Sequence, residues 1–388
     1  MNPIRFTLDA GPHARRWCPI SATFGVDAAP TKPVHLRDLN TDLPMPLPVQ
    51  TSLTPDGKLT ARFIVDSIAT GEVRTYELVE SDEPPPGASG VRVKARQRDE
   101  CVEVRVGRKL FTTYHHGRSY ARPFLYPLNE PGGACVTRGW PIIEGLPGET
   151  TDHKHHKSCW VAWGDVNGVD NWSEEPGHGR QVHREFVEIS DGPVCGVIHA
   201  KNDWVDASGK KQLEEDRRIT VYAGTPQLRI VDFEITFRMT ESEVRFGDTK
   251  EGGLVSVRVA TSMDGDKGGT LTNAYGGVGE GECWGKRAHW VDYFGPVGGK
   301  VCGIALLDHP DNVRHPTYWH IRNYGLMTAN PFGVSHFRGK GFDGSMVFAA
   351  GTSQTWRYRM LVHRGDARRA DVAGHYLDYI APPRVTRL

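Results

Sequence analysis

The sequence predicts an all-β protein built around a large antiparallel two-sheet β-sandwich. Apolar and polar residues alternate along several segments, most clearly along 229–239, and this period of two is typical of a half-buried antiparallel strand. The chain also carries 44 Gly and 26 Pro, which supply the turns that short strands need. Helical periodicity is clear mainly at 367–379, so we expect at most one or two short helices.

Two further segments, 102–106 and 255–259, place valines on one face and polar residues on the other. Three consecutive prolines at 84–86 interrupt the strand pattern, which favours a domain boundary there. We therefore predict a small N-terminal β-sandwich domain at 1–87 and a large catalytic or binding domain at 88–388. A strand-rich domain of that size is typical of two large stacked sheets rather than a compact barrel.

Composition narrows the class of protein. Lys+Arg and Asp+Glu each number 47, so the formal net charge is zero, and no basic run interleaved with aromatic residues indicates nucleic-acid binding. The apolar runs are too short to cross a bilayer, and the N-terminus lacks the pattern of a secretory signal. Seven cysteines without a CxxC pair favour free thiols in a reducing compartment. We expect a cytoplasmic protein without a nucleic-acid or membrane partner, and the oligomeric state stays open.

The densest candidate chemistry lies between residues 149 and 183, where five histidines accompany several carboxylates and three tryptophans. Histidine titrates nearest neutrality and is the commonest metal ligand. Tryptophan offers a flat apolar face that suits the C–H surface of a sugar ring. This mixture predicts a polar, aromatic-walled pocket for a small molecule.

Three readings of His153, His155 and His156 remain open. The imidazoles could act directly as acids, bases or hydrogen-bond donors to hydroxyls, which we favour. On an extended strand His153 and His155 share one face and could bind a divalent metal with His183 or His320 as a third ligand. A solvated basic turn is the third reading.

Other candidates have structural alternatives too. Trp163 and Trp172 could wall a ring-binding cleft or fill the core. Asp165 and Asn167 lie in a segment that partly matches a calcium-binding loop but lacks its regular ligand spacing, and a turn stabilised by Asx hydrogen bonds is the alternative. His116 is one of two adjacent histidines that would face opposite sides of a strand.

Asp248, Lys250 and Glu251 lie between glycines before a strand, where partial desolvation suits acid–base work and a surface ion pair is the alternative. Arg258 occupies the polar face of the strand that follows. His320 and Arg322 share one face of an extended segment and could stabilise a carboxylate or an oxyanion.

Spaced motifs recur over roughly residues 110–340. They are Arg122-Pro-Phe-Leu-Tyr126-Pro-Leu, Asp152-His-x-His-His156, Trp163-Gly-Asp-Val-Asn-Gly168, Phe246-Gly-Asp-Thr-Lys-Glu-Gly252, Trp290-Val-Asp292, Asp308-His309-Pro310, Trp319-His-x-Arg322-x-Tyr-Gly325 and Asn330-Pro-Phe-Gly333. This ordered set resembles a bacterial family often labelled PmoA-like. The label invokes methane oxygenase, but the absence of membrane spans rules out a resemblance to the integral-membrane subunit.

Members of that family are uncharacterised and tend to occur beside sugar oxidoreductases and isomerases, which implies a carbohydrate context. The strand pattern also looks like the β-sandwich shared by galactose mutarotases and several polysaccharide lyases. In those folds His, Tyr, Arg and acidic residues project from a concave sheet onto a sugar, and the resemblance adds Tyr126 and Trp290 to the expected contacts.

We therefore predict a carbohydrate-active enzyme that uses acid–base chemistry for elimination, hydrolysis or epimerisation. The alternatives are a non-catalytic carbohydrate-binding protein and a metal-dependent enzyme with a site at His153, His155 and His183. No cofactor is firmly implied beyond a possible divalent metal. The expected catalytic residues are His153, His155, His156, His183, Asp248, Lys250, Glu251 and His320. The expected substrate contacts are His116, Tyr126, Trp163, Asp165, Asn167, Trp172, Arg258, Trp290 and Arg322.

Overall fold

The computed structural model describes residues 1–41, 46–83, 90–96 and 99–388. Strands dominate these residues, helices are few and short, and the predicted all-β sandwich class is confirmed. The predicted domain boundary between residues 87 and 88 lies outside the described residues, so the division into 1–87 and 88–388 stays a prediction.

The strands follow one another along the chain with three short α-helices in the second half. Two 3-10 turns, Thr261–Met263 and Gly265–Lys267, follow β18. The strands are β1 (Ile4–Asp9), β2 (Arg15–Phe24), β3 (Val34–Asp38), β4 (Pro46–Leu47), β5 (Val49–Leu53), β6 (Leu59–Ile68), β7 (Val73–Glu80), β8 (Val91–Arg96), β9 (Cys101–Val106), β10 (Lys109–His115), β11 (Phe124–Leu125), β12 (Cys159–Trp163), β13 (Arg180–Ser190), β14 (Cys195–Val205), β15 (Lys211–Tyr222), β16 (Leu228–Arg238), β17 (Val244–Phe246), β18 (Gly252–Arg258), β19 (Thr270–Asn273), β20 (Trp290–Val297), β21 (Lys300–Asp308), β22 (Tyr318–Ile321), β23 (Leu326–Asn330), β24 (Met346–Phe348), β25 (Ser353–Arg364) and β26 (Arg384–Arg387). The helices are α1 (Glu280–Cys283), α2 (Val334–Arg338) and α3 (Val372–Ile380).

The N-terminal strands form a small sandwich of two sheets, ordered β26-β1-β7-β3-β4 and β2-β6-β5. Its core is a separate apolar cluster that includes Phe6, Phe63 and Tyr76. The last strand of the chain, β26, pairs antiparallel with β1 and places Arg387 opposite Phe6. Residues within the range predicted for the large domain therefore complete this sheet.

The large sandwich consists of two eight-stranded sheets. We call the sheet ordered β22-β23-β18-β12-β11-β10-β9-β8 the site sheet, and the sheet ordered β13-β14-β15-β16-β25-β21-β20-β19 the back sheet. Apolar side chains from both sheets meet in one continuous core, including Trp163 and Trp319 from the site sheet and Phe233 and Trp356 from the back sheet.

Strand β16 confirms the alternation predicted at 229–239. Val231, Phe233, Ile235 and Phe237 lie in the core, while the polar residues between them lie on the opposite face and are partly exposed. Strand β18 differs, because every one of its residues is buried. Its polar face is therefore covered by protein rather than by solvent.

Helix α3 accounts for the helical pattern predicted at 367–379, but it begins only after Asp371, whose side chain accepts a hydrogen bond from the Gly374 amide. Its apolar residues Val372 and Tyr376 pack on Leu361 of the back sheet. Asp378 accepts a hydrogen bond of 3.1 Å from Arg15 of the N-terminal sandwich. No helix among the described residues is long and apolar enough to cross a membrane.

Candidate active site

The outer face of the site sheet forms the floor of the candidate site. Ser256 and Arg258 alternate with core valines in β18 and so face away from the core, yet neither has exposed surface. In the strand register Thr328 lies between Ser256 and His320, and the Ser256 and Thr328 hydroxyl oxygens are 2.7 Å apart. Polar side chains thus line a covered sheet face.

A loop at residues 150–158, which we call the histidine loop, covers one part of this floor. The His156 ring stacks on Trp160 with 5.2 Å between centroids and lies 5.5 Å from Trp172. The His153 ring lies 4.8 Å from that of His156, and the rings of His155 and His156 are 4.4 Å apart. The three histidines predicted from their density in the sequence therefore do come together.

Two buried arginines hold the histidine loop in place through its backbone. Arg138 donates to the carbonyl oxygens of Asp152 at 2.8 Å and His153 at 3.0 Å. Arg122 donates to the His155 carbonyl at 3.2 Å. Charged donors to backbone acceptors make strong hydrogen bonds in a buried setting, so the loop is fixed at several successive residues.

Arg258 connects the floor to the histidine loop. Its Nη2 donates to Asp152 Oδ1 at 2.7 Å, and Arg138 binds the same carboxylate oxygen. Burial alone raises the pKa of Asp152, but the hydrogen bond from His153 and the charges of Arg258 and Arg138 outweigh it, so the pKa lies well below its usual value. Asp152 is therefore an anionic link rather than a proton donor near neutral pH.

His156 presents a hydrogen-bond donor without a partner. Arg258 Nη1 donates to His156 Nδ1 at 3.2 Å, so in the neutral ring the proton sits on Nε2. That Nε2 atom is buried and has no hydrogen-bond partner among the described residues. Burial, followed by the neighbouring His155 and Arg258, lowers the pKa of His156 well below its usual value, so the ring is neutral at pH 7.

His320 has the opposite tautomer. Its Nδ1 lies 2.8 Å from the Lys250 carbonyl oxygen, which can only accept, so the proton sits on Nδ1 and Nε2 keeps its lone pair. This Nε2 is also buried and without a partner in the described part of the chain. Burial is the main cause that lowers the pKa of His320, which leaves a neutral ring with a free acceptor.

Lys250 and Glu251 lie beside His320 at the start of β18, with Nζ and Oε1 2.8 Å apart. Asn330 Nδ2 donates to the Lys250 carbonyl at 3.0 Å, and the Gly164 amide donates to the Glu251 carbonyl at 2.8 Å. A Cβ at residue 164 would lie 2.4 Å from that oxygen, so this approach requires glycine.

The charge of Glu251 acts both on His155 of the histidine loop and on His320 of β22. Burial raises the pKa of Glu251, but its hydrogen bond with Lys250 and the positive charge of that side chain outweigh this, so the pKa is lowered. Burial and the charge of Arg122 lower the pKa of His155 to about 4. An anionic carboxylate thus faces neutral imidazoles from both the histidine loop and β22.

Tyr324 lies at the centre of these groups. Its ring stacks on His153 at 4.8 Å, and the guanidinium groups of Arg258 and Arg322 lie 5.0 and 5.5 Å from its centroid. Burial raises the pKa of the Tyr324 phenol to about 12, so the hydroxyl remains a proton donor at neutral pH.

Asp264 lies behind Arg258 with one buried oxygen lacking a partner. Burial raises its pKa to about 6. A Cβ at Gly325 would lie 2.8 Å from Asp264 Oδ1 and 3.3 Å from Arg258 Nε, so glycine at 325 leaves room for this carboxyl and guanidinium.

Comparisons with known proteins place the chain in a family without assigning it an activity. A model of a family of unknown function, DUF6807, matches residues 101–377. The chain belongs to this family. No curated protein matches the sequence.

Among solved structures, the chain is similar to two proteins from Enterococcus faecalis. One is an alpha-mannosidase, with a TM-score of 0.47, 10% identity and coverage of 100% of this chain and 46% of that chain. The other is a glycosyl hydrolase family 38 protein, with a TM-score of 0.45, 10% identity and coverage of 100% and 47%. This DUF6807 protein therefore spans about half their length. A GalM/aldose epimerase homologue from C. elegans has a TM-score of 0.32, 8% identity and coverage of 71% and 99%.

Several predicted residues of this DUF6807 protein lie away from the histidine loop. His183 and His116 contact each other, with 4.4 Å between ring centroids. The ring contacts that define the cluster of His153, His155 and His156 do not include His183, so the predicted metal set is not brought together. In the described ranges, no three His, Cys, Asp or Glu side chains are grouped closely enough to hold a metal ion.

Other predicted residues have structural partners. Trp163 is buried in the core and donates to the Gly247 carbonyl at 3.1 Å. Asp248 accepts from the Ser335 and Gly344 amides at 2.9 and 2.6 Å. Asp165 pairs with Arg245, Asn167 donates to Gln212, and Trp290 packs near α3 on the back sheet.

The remaining predicted contacts border the site. Trp172 is buried beneath the histidine loop, and its indole nitrogen lacks a partner within the described residues. Tyr126 packs against the same aromatic cluster. Arg322 pairs with Glu280 at 3.0 Å.

Five residues of the site were absent from the predicted set: Asp152, Tyr324, Trp160, Arg122 and Arg138. All but Arg138 lie in or beside the quoted motifs, so their motif positions were the available signal. Arg138 carries no local pattern, because nothing in a sequence distinguishes a buried arginine that holds a loop from an exposed one.

Proposed function

We propose that this protein is a carbohydrate-active enzyme that moves protons on a bound sugar or glycoside. The observation that carries the proposal is the pair of buried imidazoles with opposite tautomers. His156 offers an N–H donor and His320 offers a lone pair, and neither Nε2 has a protein partner among the described residues. A donor and an acceptor held ready in one region are what general acid–base chemistry needs.

The surrounding charges support distinct roles. His320 is the proposed proton acceptor, because the anionic Glu251 beside it favours the protonated ring. His156 is the proposed hydrogen-bond donor to a sugar oxygen, and Tyr324 is a second donor. Arg258 holds the His156 ring and tautomer, as partners of a functional histidine commonly do.

The carbohydrate assignment rests on residue types rather than on a known relative. Histidine, tyrosine, arginine and carboxylate groups on a covered sheet face suit a ligand rich in hydroxyls. The sequence resemblance to the PmoA-like family, with its sugar-metabolism context, supports the same substrate class. Elimination, hydrolysis and epimerisation all remain compatible with these groups.

A non-catalytic carbohydrate-binding role is the second candidate. The observation that favours it is the lowered pKa of His155 and His320, because weakly basic imidazoles are good hydrogen-bonding partners but poor proton acceptors. Binding without chemical change in the ligand would distinguish this role from catalysis.

The test is incubation of the protein in D2O with a panel of oxidised and unoxidised glycosides. NMR and mass spectrometry would follow new products and deuterium incorporation at carbon. We expect turnover in the wild type and a loss of about 100-fold or more in His320→Gln and His156→Gln. His199→Gln is the matched control, since His199 lies on the back sheet beside Asp216. Unchanged turnover in both site variants would contradict the proposal.

A further inference from the structure

An aromatic cluster beside His320 has no role in the proton chemistry described above. It consists of Trp284, Phe337 and Tyr318, which we call the aromatic platform. The Trp284 ring lies 6.4 Å from His320 and 5.6 Å from Phe337, and Phe337 stacks on Tyr318 at 5.3 Å. All three side chains are partly exposed.

The platform is fixed to the same elements as the polar site. Trp284 directly follows α1, and the next residue, Gly285, donates to the Trp319 carbonyl of β22 at 2.8 Å. Glu280 of α1 pairs with Arg322, which borders Tyr324. Gly285 has a φ of +66°, and a Cβ there would lie 3.1 Å from Phe337, so the turn after α1 favours glycine.

The two sides of His320 therefore differ in chemistry. Towards the histidine loop, the Tyr324 ring is already contacted by His153, Arg258 and Arg322, and the tryptophans are buried. Hydrogen-bonding groups dominate that side. On the other side, Trp284 and Phe337 offer aromatic surface, and the Trp284 indole nitrogen is buried without a partner in the described part of the chain.

We propose that the aromatic platform is a second ring-binding subsite, so that the ligand is a glycoside with two rings. One sugar ring occupies the polar side between the histidine loop and Glu251. The second ring, either another sugar or a cyclic aglycone, lies against Trp284 and Phe337, with the linkage near His320. This inference rests on the proposed function and specifies its substrate class.

Aromatic side chains suit this role because their flat faces match the C–H surface of a pyranose or the face of an aryl group. Pairs of aromatic rings contribute about 0.5–1.5 kcal/mol beyond area burial, and a ring contact of this size on the platform corresponds to roughly a two- to twelvefold change in affinity. A methyl glycoside cannot make it. The platform therefore predicts discrimination by the size of the group across the linkage.

The experiment compares matched ligands by calorimetry and ligand-observed NMR. For each of several hexoses and uronic acids, the methyl glycoside, the phenyl glycoside and a disaccharide are titrated into the full chain. We expect at least one two-ring series to bind about three- to tenfold more tightly than its methyl glycoside. The phenyl and disaccharide arms separate an aglycone from a second sugar.

Trp284→Ala should remove this advantage and leave methyl glycoside affinity unchanged, while Trp284→Phe should retain part of it. Trp17→Ala, which removes an exposed tryptophan of the N-terminal sandwich, is the matched control and should change neither affinity. Equal binding of one-ring and two-ring ligands, equal loss of both in Trp284→Ala, or no binding by any ligand would overturn the subsite. If His320→Gln and His156→Gln both keep full turnover while Trp284→Ala selectively weakens two-ring ligands, the proposed function fails and the subsite stands.

Discussion

The outer faces of the two large sheets differ in how their polar side chains are paired with partners. On the back sheet, charged residues pair across neighbouring strands, as Arg359 does with Asp232 at 2.7 Å and Arg238 with Asp216 at 2.6 Å. On the site sheet, polar side chains are more deeply buried, yet His156 and His320 each retain an unpartnered nitrogen in the described residues. Buried atoms without a partner also occur on the back sheet, as at Asp292 and His363, but among the described residues they are concentrated around the histidine loop and His320.

This difference separates scaffold from site. An unsatisfied buried polar atom costs about 1–3 kcal/mol, so a fold that retains several of them in one place carries a local cost. The back sheet shows that the same chain satisfies its surface charges where no ligand is expected. We take the concentration of unpartnered atoms near the histidine loop as the mark of a site completed by another molecule.

The first and largest test of this comparison replaces one arginine on each face. Arg258→Met removes a fully buried guanidinium that holds both Asp152 and His156, and we expect the free energy of unfolding to fall by about 3 kcal/mol or more. Arg357→Met removes a partly exposed partner of Glu234 and should cost about 1 kcal/mol or less. Urea denaturation measures both, and equal losses would remove the distinction between the faces.

The second test uses acid. His155 has a pKa of about 4 in the folded protein and a usual value of 6.5, so between these values the unfolded state binds more protons and stability falls as the pH falls. The shift corresponds to about 3 kcal/mol. Between pH 7 and pH 4, the free energy of unfolding of His155→Gln should therefore fall by about 3 kcal/mol less than that of the wild type.

The acid test compares the wild type with His155→Gln. Thermal unfolding across the pH series gives the comparison. An acid loss in His155→Gln as large as that of the wild type would show that this imidazole is not held neutral by its surroundings.

The third and smallest test compares two hydroxyl pairs with the same 2.7 Å separation. Ser256 and Thr328 are fully buried in the site sheet, whereas Thr236 and Thr355 lie half-buried on the back sheet. Thr328→Val leaves a buried hydroxyl without its partner and should cost about 1–3 kcal/mol. Thr355→Val should cost about 0.5 kcal/mol, because water can replace the lost partner. A reversed order in chemical denaturation would contradict the comparison.

The sequence was most informative where one face of a strand meets solvent. Alternation in β16 predicted its inward and outward residues because the outward face is polar and partly exposed. In β12 and β18 both faces are buried, and a period of two says nothing about what covers the second face. The fold class was therefore predictable, while the location of the site on that face was not.

Local density predicted the histidine loop, since three imidazoles in four positions are unusual for a solvated turn. The local density of charged residues did not distinguish a side chain that faces the site from one that hydrogen-bonds to the backbone. Asp248 lies in the same charged motif as Glu251. Its carboxylate nevertheless accepts hydrogen bonds from the amides of Ser335 and Gly344. Arg138 and Tyr324 act through partners distant in sequence, and only the folded chain brings these together.

Strand β26 has a consequence for how the chain is assembled. The N-terminal sandwich lacks an edge strand until residues 384–387 have been synthesised, although its other strands emerge first. Until then β1 presents unpaired backbone groups, which is a template for wrong partners. Pairing so distant in sequence is slow to form, and a ribosome-bound fragment lacking the final residues should be more prone to aggregate than the released chain.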